Sequence, residues 1–257
     1  MPNDSFDLTG QVALITGGNG GIGLGIATGL MEAGASVVIA ARDQAKTQAV
    51  VDGLIKTGPK AIGLTVDVED GDSVSTAVET VVDRLGRIDI LVNNAGIAIR
   101  KPPQDYTNDE WDKVLDINLK GTFLCARAVY PYMVESGGGS IINIGSMTSI
   151  FGSDWVSSYS ASKGGVVQLT RSLAVAWAKD QIRVNAILPG WIKTDLTSAY
   201  WKESDNKERL DFINRRIPFK RWGVPSDLAG LAVFLSSTAA SYVTGAAIPV
   251  DGGYSSF

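Results

Sequence analysis

The amino-acid sequence predicts an α/β protein, built as a doubly wound parallel sheet of about seven strands with helices on both faces. Seven short apolar runs alternate with longer amphipathic stretches along a chain of 257 residues, a pattern that is typical of βαβ units. The apolar runs are rich in Val, Ile and Ala and do not alternate strictly with polar residues, which indicates strands buried on both faces. Strands joined through helices in this way lie parallel, with right-handed crossovers.

The predicted strands end at glycine or polar residues, which suit the turns that follow them. They cover residues 11–17, 36–41, 61–68, 88–96, 139–146, 182–190 and 246–253. The first predicted helix opens on glycine and the next two open on acidic residues, which favour a helix N-terminus. The helices cover residues 21–34, 43–58, 70–86, 108–119, 120–136, 157–179 and 226–236. The run SGGGS at 136–140 joins a helix to a strand, so it indicates a tight turn, and we expect one domain over residues 1–257.

Composition excludes several classes of function. A net charge of −4 argues against a nucleic-acid surface, and no apolar run approaches the ~18 residues that a membrane span needs. With no histidine and a single cysteine, the usual zinc motifs are excluded, and we expect no metal site. Cys125 lies in an apolar helical pattern and is expected in the core. The acidic N-terminus lacks a signal-like apolar segment, so we expect a cytoplasmic protein without nucleic-acid or membrane partners.

The run TGGNGGIG at Thr16–Gly23 follows the first strand and opens the first helix. Glycines there let a pyrophosphate approach the backbone, and the helix N-terminus offers free N–H groups to it. Two spacings fit the run: GxGxxG at 18, 20 and 23, and GxxxGxG at 17, 21 and 23. A glycine-rich turn without a ligand is the alternative. In this position the run predicts a Rossmann-type dinucleotide site.

The end of the second strand bears on the choice of cofactor. An acidic residue there binds the ribose hydroxyls of NAD, whereas a basic residue accommodates the extra phosphate of NADP. Here Ala41 occupies the expected acidic position and Arg42 follows it. A guanidinium matches a phosphate in charge and geometry, so the sequence favours NADP(H), with NAD(H) as the alternative. Arg42 as a solvated surface charge is the other interpretation.

The third and fourth strands place further residues at the same edge of the sheet. Asp67 and Val68 close the third strand, where the Asp67 carboxylate could accept from the adenine amino group or cap the next helix. The run NNAG, at Asn93–Gly96, ends the fourth strand. Its asparagines could hold loop backbone, and Gly96 would allow close approach to the cofactor.

Tyr159 and Lys163 are four residues apart on a predicted helix and therefore share one face. A cation near a phenol lowers the phenol pKa, so the pair could move a proton without histidine. By spacing alone the two could merely share a helix face. Ser146, at the end of the fifth strand, could hydrogen-bond a substrate oxygen at the same sheet edge. Asn118 is polar within an otherwise apolar helix and could hold a water that leads to Lys163.

These motifs together resemble the short-chain dehydrogenase/reductase family, and the similarity runs nearly end to end. The chain has TGxxxGIG from Thr16 to Gly23, NNAG, Asn118, and YxxxK at Tyr159 and Lys163. Ser146 precedes Tyr159 by thirteen residues, as that family's pattern expects. The run PGWIKT at 189–194 and the C-terminal runs RWGVPSDLA and VTGAAIPVDGG resemble its later segments.

The resemblance implies a role for each of these residues. Tyr159 would be the general acid/base, Lys163 would lower its pKa and hold the nicotinamide ribose, Ser146 would orient the substrate oxygen, and Asn118 would position a water. The family also implies a homotetramer built partly through long helices and the C-terminal strand. The residues expected to bind cofactor are Gly17, Asn19, Gly21, Ile22, Gly23, Arg42, Asp67, Val68, Asn94, Ala95, Gly96, Tyr159, Lys163, Pro189, Gly190, Ile192 and Thr194.

The expected reaction is hydride transfer between a nicotinamide cofactor and a secondary alcohol or ketone. Residues of about 191–218 combine aromatic and basic side chains and are expected to form a substrate lid of one or two short helices. The residues expected to contact substrate are Ser146, Met147, Trp155, Tyr159 and Trp191. Sugar acids, polyols and small ketones are one substrate class, and 3-oxoacyl thioesters are the alternative. A non-catalytic nucleotide sensor and a methyltransferase are alternatives from other classes.

Overall fold

A computed structural model of the chain describes residues 4–56, 60–201 and 207–256. It contains one sheet of seven strands, all paired in parallel. The strands are β1 (Val12–Thr16), β2 (Ser36–Ala41), β3 (Ala61–Thr65), β4 (Ile90–Asn93), β5 (Gly139–Ile144), β6 (Ile182–Pro189) and β7 (Ala247–Val250). Their order across the sheet is β3-β2-β1-β4-β5-β6-β7. The predicted fold class is confirmed.

Helices cover both faces of this sheet. They are α1 (Gly21–Glu32), α2 (Gln44–Leu54), α3 (Gly71–Leu85), α4 (Asn108–Leu115), α5 (Gly121–Glu135), α6 (Ser157–Trp177), α7 (Ser198–Trp201), α8 (Lys207–Arg215) and α9 (Ala229–Ser236). Successive residues of β1 point to two separate apolar cores: Ile15 packs with α1 and α9, and Leu14 packs with α3 and α5. Burial on both faces explains why the strands are continuous apolar runs.

Acidic and hydroxyl side chains cap several helices. The Asp43 carboxylate accepts from the Lys46 amide at 2.9 Å and begins α2. Asp70 begins α3 in the same way, and Thr107 forms a capping box with Glu110 at the start of α4. These caps satisfy N–H groups that have no partner within the helix.

At two of the predicted helix boundaries the structure has a different kind of turn. The predicted break between residues 119 and 120 is instead a wide π-turn, Asp116–Lys120, which joins α4 directly to α5. The last predicted helix begins three residues late, because Pro225–Leu228 forms a tighter 3₁₀ turn before α9. Proline suits the first turn of a helix, since its missing N–H has no partner there.

The order of the strands in the sheet determines where the candidate site lies. β1 and β4 are neighbours although they are not consecutive in sequence, so the crossovers on their two sides run in opposite directions. A crevice opens at the carboxyl ends of strands at such a point. The glycine loop follows β1 at this edge, and the NNAG run ends β4 beside it.

The described segments also bear on the expectations about a membrane span and about Cys125. None of their helices is both long enough and apolar enough to cross a membrane. Cys125 is buried in the core, as predicted, and burial raises the pKa of its thiol to about 12. An unionised, inaccessible thiol is a poor nucleophile.

Candidate active site

The glycine loop at Thr16–Gly23 connects β1 to α1. Gly17 and Gly21 have φ angles of 62° and 51°, a conformation that favours glycine. A Cβ atom at Gly23 would lie 2.5 Å from the carbonyl oxygen of Gly17, so a larger residue would force the loop apart. No described side chain caps the N-terminus of α1, which leaves its first N–H groups for an anion. The loop therefore fits a dinucleotide diphosphate.

Asn94 fastens this loop to the end of β4. Its Nδ2 donates to the carbonyl oxygens of Thr16 and Gly17 at 3.1 and 3.0 Å. The Thr16 hydroxyl oxygen accepts from the amides of Asn94 and Ala95 at 3.0 and 3.1 Å. The expectation that an asparagine of the NNAG run holds loop backbone is confirmed for Asn94, and the two strand ends form one wall of the crevice.

Two cationic side chains follow β2, the strand beside β1. Arg42 is exposed, with its Nη1 3.9 Å from Oε2 of Glu69. Lys46, in the first turn of α2, has its Nζ 3.2 Å from the position that a Cβ at Gly20 would occupy. The same Nζ is 3.5 Å from Oδ2 of Asp195. The sequence had not singled out Lys46, although its place four residues after Arg42 was a usable signal.

Asp67 and Val68 follow β3, which ends at Thr65 and not at Val68 as predicted, and they lie at the predicted edge of the sheet. One Asp67 carboxylate oxygen accepts from the amide of Glu69 at 3.1 Å, while Asp70 caps α3. The alternative that Asp67 caps this helix is therefore wrong, because the N-cap is Asp70, three residues later. Val68 is buried, and a Cβ added to Gly121 would lie 2.9 Å from its Cγ2. Contact of Asp67 with an adenine stays a prediction.

Asn118 lies in the π-turn between α4 and α5 and is completely buried. Its Oδ1 accepts from the Ile97 amide at 2.9 Å. Its Nδ2 donates to the Ile97 carbonyl and to the Ser162 hydroxyl, both at 3.0 Å. The wide turn points this side chain at the loop after β4, and π-turns of this kind are frequent at functional sites. The Asn118 side chain thus holds that loop, and its contact with a water stays a prediction.

Lys163 has a buried ammonium group on α6, with 4% of the residue exposed. Its Nζ donates to the Ile144 carbonyl oxygen at 2.6 Å and lies 5.7 Å from the centre of the Tyr159 ring. Burial lowers the pKa of Lys163 to about 8, because a buried ammonium loses its hydration. The predicted pair therefore shares one helix face and one pocket.

Tyr159 and Ser146 lie in the wall of the same cavity. Burial has the largest effect on the Tyr159 phenol and raises its pKa, while the Ser146 hydrogen bond and the charge of Arg100 act in the opposite direction. The structure thus adds Arg100 as a cation that favours the phenolate. That Lys163 lowers this pKa stays a prediction. Arg100 follows β4 in a loop, where the sequence offered no clue to its position.

A small cavity of about 100 Å³ lies between the strand ends and Lys163. The predicted cofactor residues that line it are Ile22, Asn94, Gly96, Tyr159, Lys163, Pro189, Gly190, Ile192 and Thr194. Asn19 lies elsewhere on the glycine loop, where its Nδ2 donates to the Thr47 hydroxyl at 3.2 Å. Segments from the glycine loop, the NNAG run, α6 and the PGWIKT run therefore meet around one space, while the predicted cofactor residues after β2 and β3 do not line it.

A larger cavity of about 850 Å³ also contains Tyr159 and Ser146 in its wall. Met147 and Trp191 line it, as predicted. Trp155 does not: it is 39% exposed, and its ring packs against the guanidinium of Arg209 at 5.9 Å. The Trp155 ring therefore lies beside an arginine of the cavity wall. Contact of Trp155 with the substrate stays a prediction.

Other residues of the large cavity were not predicted as substrate contacts. They are Arg100, Phe151, Tyr200, Arg209, Arg216 and Tyr254, among others. Tyr200, Arg209 and Arg216 belong to the segment predicted as a lid. Tyr254, in the C-terminal turn, is buried and lines the cavity of its own chain.

The segment predicted as a lid contains two short helices, α7 and α8, within its described residues. The Trp191 ring packs against Tyr200 at 5.3 Å and against Trp222 at 5.2 Å between ring centres. These contacts seat the segment over the large cavity. Residues 202–206, which include the predicted lid residue Lys202, lie outside the described residues.

Comparison with known proteins agrees with this arrangement. A sequence model of the family described as enoyl-(acyl carrier protein) reductase matches residues 17–255. The 2-dehydro-3-deoxy-D-gluconate 5-dehydrogenase of Dickeya dadantii (strain 3937) is 43% identical over 253 residues, which cover 98% of each chain. The 5-keto-D-gluconate 5-reductase of Escherichia coli (strain K12) is 40% identical over 251 residues, again covering 98% of each chain.

A solved structure is also similar to this chain over nearly its whole length. The gluconate 5-dehydrogenase from Burkholderia cenocepacia J2315, in complex with NADP and tartrate, superposes with a TM-score of 0.94 at 38% identity. The match covers 99% of this chain and 98% of that one. The seven-stranded fold and the sequence similarity over nearly the whole length indicate the same family. The chain is a member of the short-chain dehydrogenase/reductase family of NAD(P)-dependent oxidoreductases.

Proposed function

We propose that this protein interconverts a secondary alcohol and a ketone on a sugar acid, with NADP(H) as its cofactor. The observation that carries the proposal is the large cavity, which has Tyr159 and Ser146 in its wall together with guanidinium groups of Arg100 and Arg216. A cavity with a proton-transfer pair and cationic groups suits a hydroxy acid. The relatives described above are named for gluconate derivatives, and the solved one binds NADP and tartrate, which supports this substrate class.

The catalytic roles follow from the positions of the side chains. The nicotinamide cofactor supplies a hydride acceptor or donor when bound. Tyr159 gives a proton to the ketone oxygen during reduction and takes it back during alcohol oxidation. Burial raises the Tyr159 pKa, so the phenol is neutral near pH 7, which is the form needed for proton donation. Ser146 orients the substrate oxygen, and Lys163 and Asn118 hold the pocket around this pair.

The preference for NADP(H) rests on Arg42 and Lys46. A 2′-phosphate beside the end of β2 would find two cations there, since Lys46 adds its ammonium next to Gly20. In this family a basic residue within the glycine motif often marks NADP(H), and Gly20 stands at that position. Lys46 supplies the missing charge from α2, and its ion pair with Asp195 is exposed, hence weak and easily exchanged.

A substrate panel with a Tyr159→Phe variant tests the catalytic proposal. We expect D-gluconate or 5-keto-D-gluconate to be turned over, followed at the nicotinamide absorbance. Tyr159→Phe should lose about 10²- to 10⁴-fold in kcat, because it removes the acid/base group, while NADPH binding persists. Tyr242→Phe, a change at a fully exposed tyrosine, is the matched control and should keep full activity.

Three other results of the substrate panel would contradict the catalytic proposal. Turnover of 3-oxoacyl thioesters without any sugar acid would replace the proposed substrate class. Cofactor binding without turnover of any substrate would favour the non-catalytic nucleotide sensor. An active Tyr159→Phe variant would contradict the assignment of the acid/base.

Fluorescence titration with NADPH and NADH tests the cofactor assignment. Arg42→Ala and Lys46→Ala should each weaken NADPH binding about 10- to 100-fold, as expected for loss of a charge-assisted hydrogen bond. NADH binding should hardly change. Lys56→Ala, at an exposed residue beyond the end of α2, is the control. Equal losses for both nucleotides would refute the assignment.

We also propose a cytoplasmic homotetramer and a closing movement of residues 191–218 over bound substrate. Apolar side chains exposed on the long helices support assembly: Phe123 and Val134 on α5, and Val175, which is 83% exposed, on α6. Sedimentation velocity should give the mass of four chains, and a monomer at micromolar concentration would contradict the assembly.

A further inference from the structure

Three arginines line the large cavity, and they differ in how their charge is balanced. Arg209 lies 3.3 Å from a carboxylate oxygen of Asp154. Arg100 donates to the backbone carbonyl of Leu196 and acts on the Tyr159 phenol, which places it at the reacting end. Arg216 forms no ion pair with any residue in the described parts of the chain, although it lines the same cavity.

The guanidinium of Arg216 is held in place without a counter-charge. It stacks on the Tyr254 ring at 4.3 Å and lies 5.7 Å from the Phe151 ring. Its Nη1 donates to the Tyr254 hydroxyl at 3.1 Å. A guanidinium has five N–H donors, so this contact leaves donors for a ligand. Because the rings restrict the side chain, binding a planar anion would require little further ordering.

The C-terminal turn fixes the tyrosine that holds Arg216. The Asp251 carboxylate accepts from the amides of Gly253 and Ser255 at 2.9 and 2.7 Å. A Cβ on Gly253 would lie 2.8 Å from Cγ of Pro218, so the turn packs closely against the chain just after Arg216. Tyr254 and the end of α8 therefore form one assembly.

We propose that Arg216 binds the carboxylate of the substrate, and that Tyr254 is a positioning residue for it. A carboxylate matches the guanidinium fork in charge and shape. Tyr159 and Ser146 act on the carbon that reacts, and Arg216 binds the acid group of the same molecule within the cavity. The arrangement selects sugar acids over polyols with the same carbon chain. The inference rests on the proposed function, since it presumes a sugar-acid substrate.

Steady-state kinetics with two substrates of equal carbon number test the inference. D-gluconate has a carboxylate, and D-glucitol has a hydroxymethyl group in its place. For Arg216→Met we expect KM for D-gluconate to rise about 10- to 100-fold with a smaller change in kcat, as for loss of a charged hydrogen bond. Arg216→Lys should recover part of this loss. The weak turnover of D-glucitol should stay unchanged, so the preference for the acid should collapse.

Two further variants separate recognition from general damage. Arg215→Met alters the exposed neighbour of Arg216, which does not line the large cavity, and should leave KM unchanged. Tyr254→Phe keeps the ring and removes the hydroxyl, and should raise KM for D-gluconate alone. Thermal melting and NADPH binding verify that each variant is folded, and Arg216→Lys serves if Arg216→Met is not.

The outcomes separate the role of Arg216 from the proposed function. If the wild type turns over D-gluconate and the Arg216 variants keep its KM, this inference is wrong and the proposed function stands. A rise in KM for Arg100→Met alone would assign the carboxylate to Arg100. If the wild type oxidises no sugar acid and Tyr159→Phe abolishes turnover of another class, both the inference and the proposed substrate class are overturned.

Discussion

Replacing Lys163 by methionine should change how folding stability depends on pH. Burial lowers the pKa of this lysine from its ordinary value of 10.5 to about 8. A shift of one pKa unit corresponds to about 1.4 kcal/mol. The lowered pKa of Lys163 therefore makes the folded state with a charged lysine about 3 kcal/mol less stable near neutral pH. Methionine has a similar length and no charge, so Lys163→Met removes this penalty.

The variant also loses a hydrogen bond. The Lys163 Nζ donates to the Ile144 carbonyl oxygen at 2.6 Å, and a buried carbonyl left without a donor costs about 1–3 kcal/mol. Near pH 7 the two effects are opposite in sign and similar in size. We therefore expect wild type and variant to differ by less than about 2 kcal/mol there.

A larger difference in the free energy of unfolding between wild type and variant should appear at alkaline pH. Between about pH 8 and the unfolded pKa of 10.5, the unfolded chain holds a proton that the folded chain has released, so wild-type stability rises with pH. The neutral amine still bonds to the carbonyl of Ile144. The free energy of unfolding of the wild type should therefore increase by about 2 to 3 kcal/mol, relative to that of the variant, between about pH 7 and pH 10.

Urea denaturation followed by tryptophan fluorescence, without cofactor and at fixed protein concentration, measures this difference. Lys179→Met removes an exposed positive charge just beyond α6 and controls for the general loss of one cation. A wild-type-minus-variant difference that stays constant across the pH range would refute the reasoning. The variant should also lose activity, whereas its stability at neutral pH should stay within about 2 kcal/mol of the wild type.

Three further predictions concern the glycine loop, the exposed helix α2 and the core. Gly23→Ala puts a methyl group 2.5 Å from the Gly17 carbonyl oxygen and from Nδ2 of Asn94, so NADPH affinity should fall at least about tenfold in fluorescence titration. Gly53→Ala meets nothing within 4 Å on an exposed helix, and should raise the free energy of unfolding by about 0.5–1 kcal/mol in urea denaturation. Leu30→Ala empties a fully buried position and should lower it by about 2–5 kcal/mol; a loss below about 1 kcal/mol would show that the core closes around the cavity.

Much of the fold follows from local rules. A parallel sheet covered on both sides demands continuous apolar strands, and these were visible as seven runs. The helix starts at Asp43 and Thr16–Gly23 carried capping or glycine signals that act over a few residues. The π-turn at Asp116–Lys120 had no such signal, because a wider helical turn depends on which partners Asn118 finds across the fold.

The sequence by itself determined the class of the protein, the edge of the sheet where the site lies, and the proton-transfer candidates Tyr159, Lys163 and Ser146. It could do so because parallel strands bring their ends together whatever the loops contain. Tertiary packing alone decided that Arg100 lies near the phenol and that Lys46 reaches the glycine loop. It also placed Tyr254 and Arg216 in one cavity, since contacts between residues distant in sequence depend on how loops and lid helices pack, and no local pattern encodes that packing.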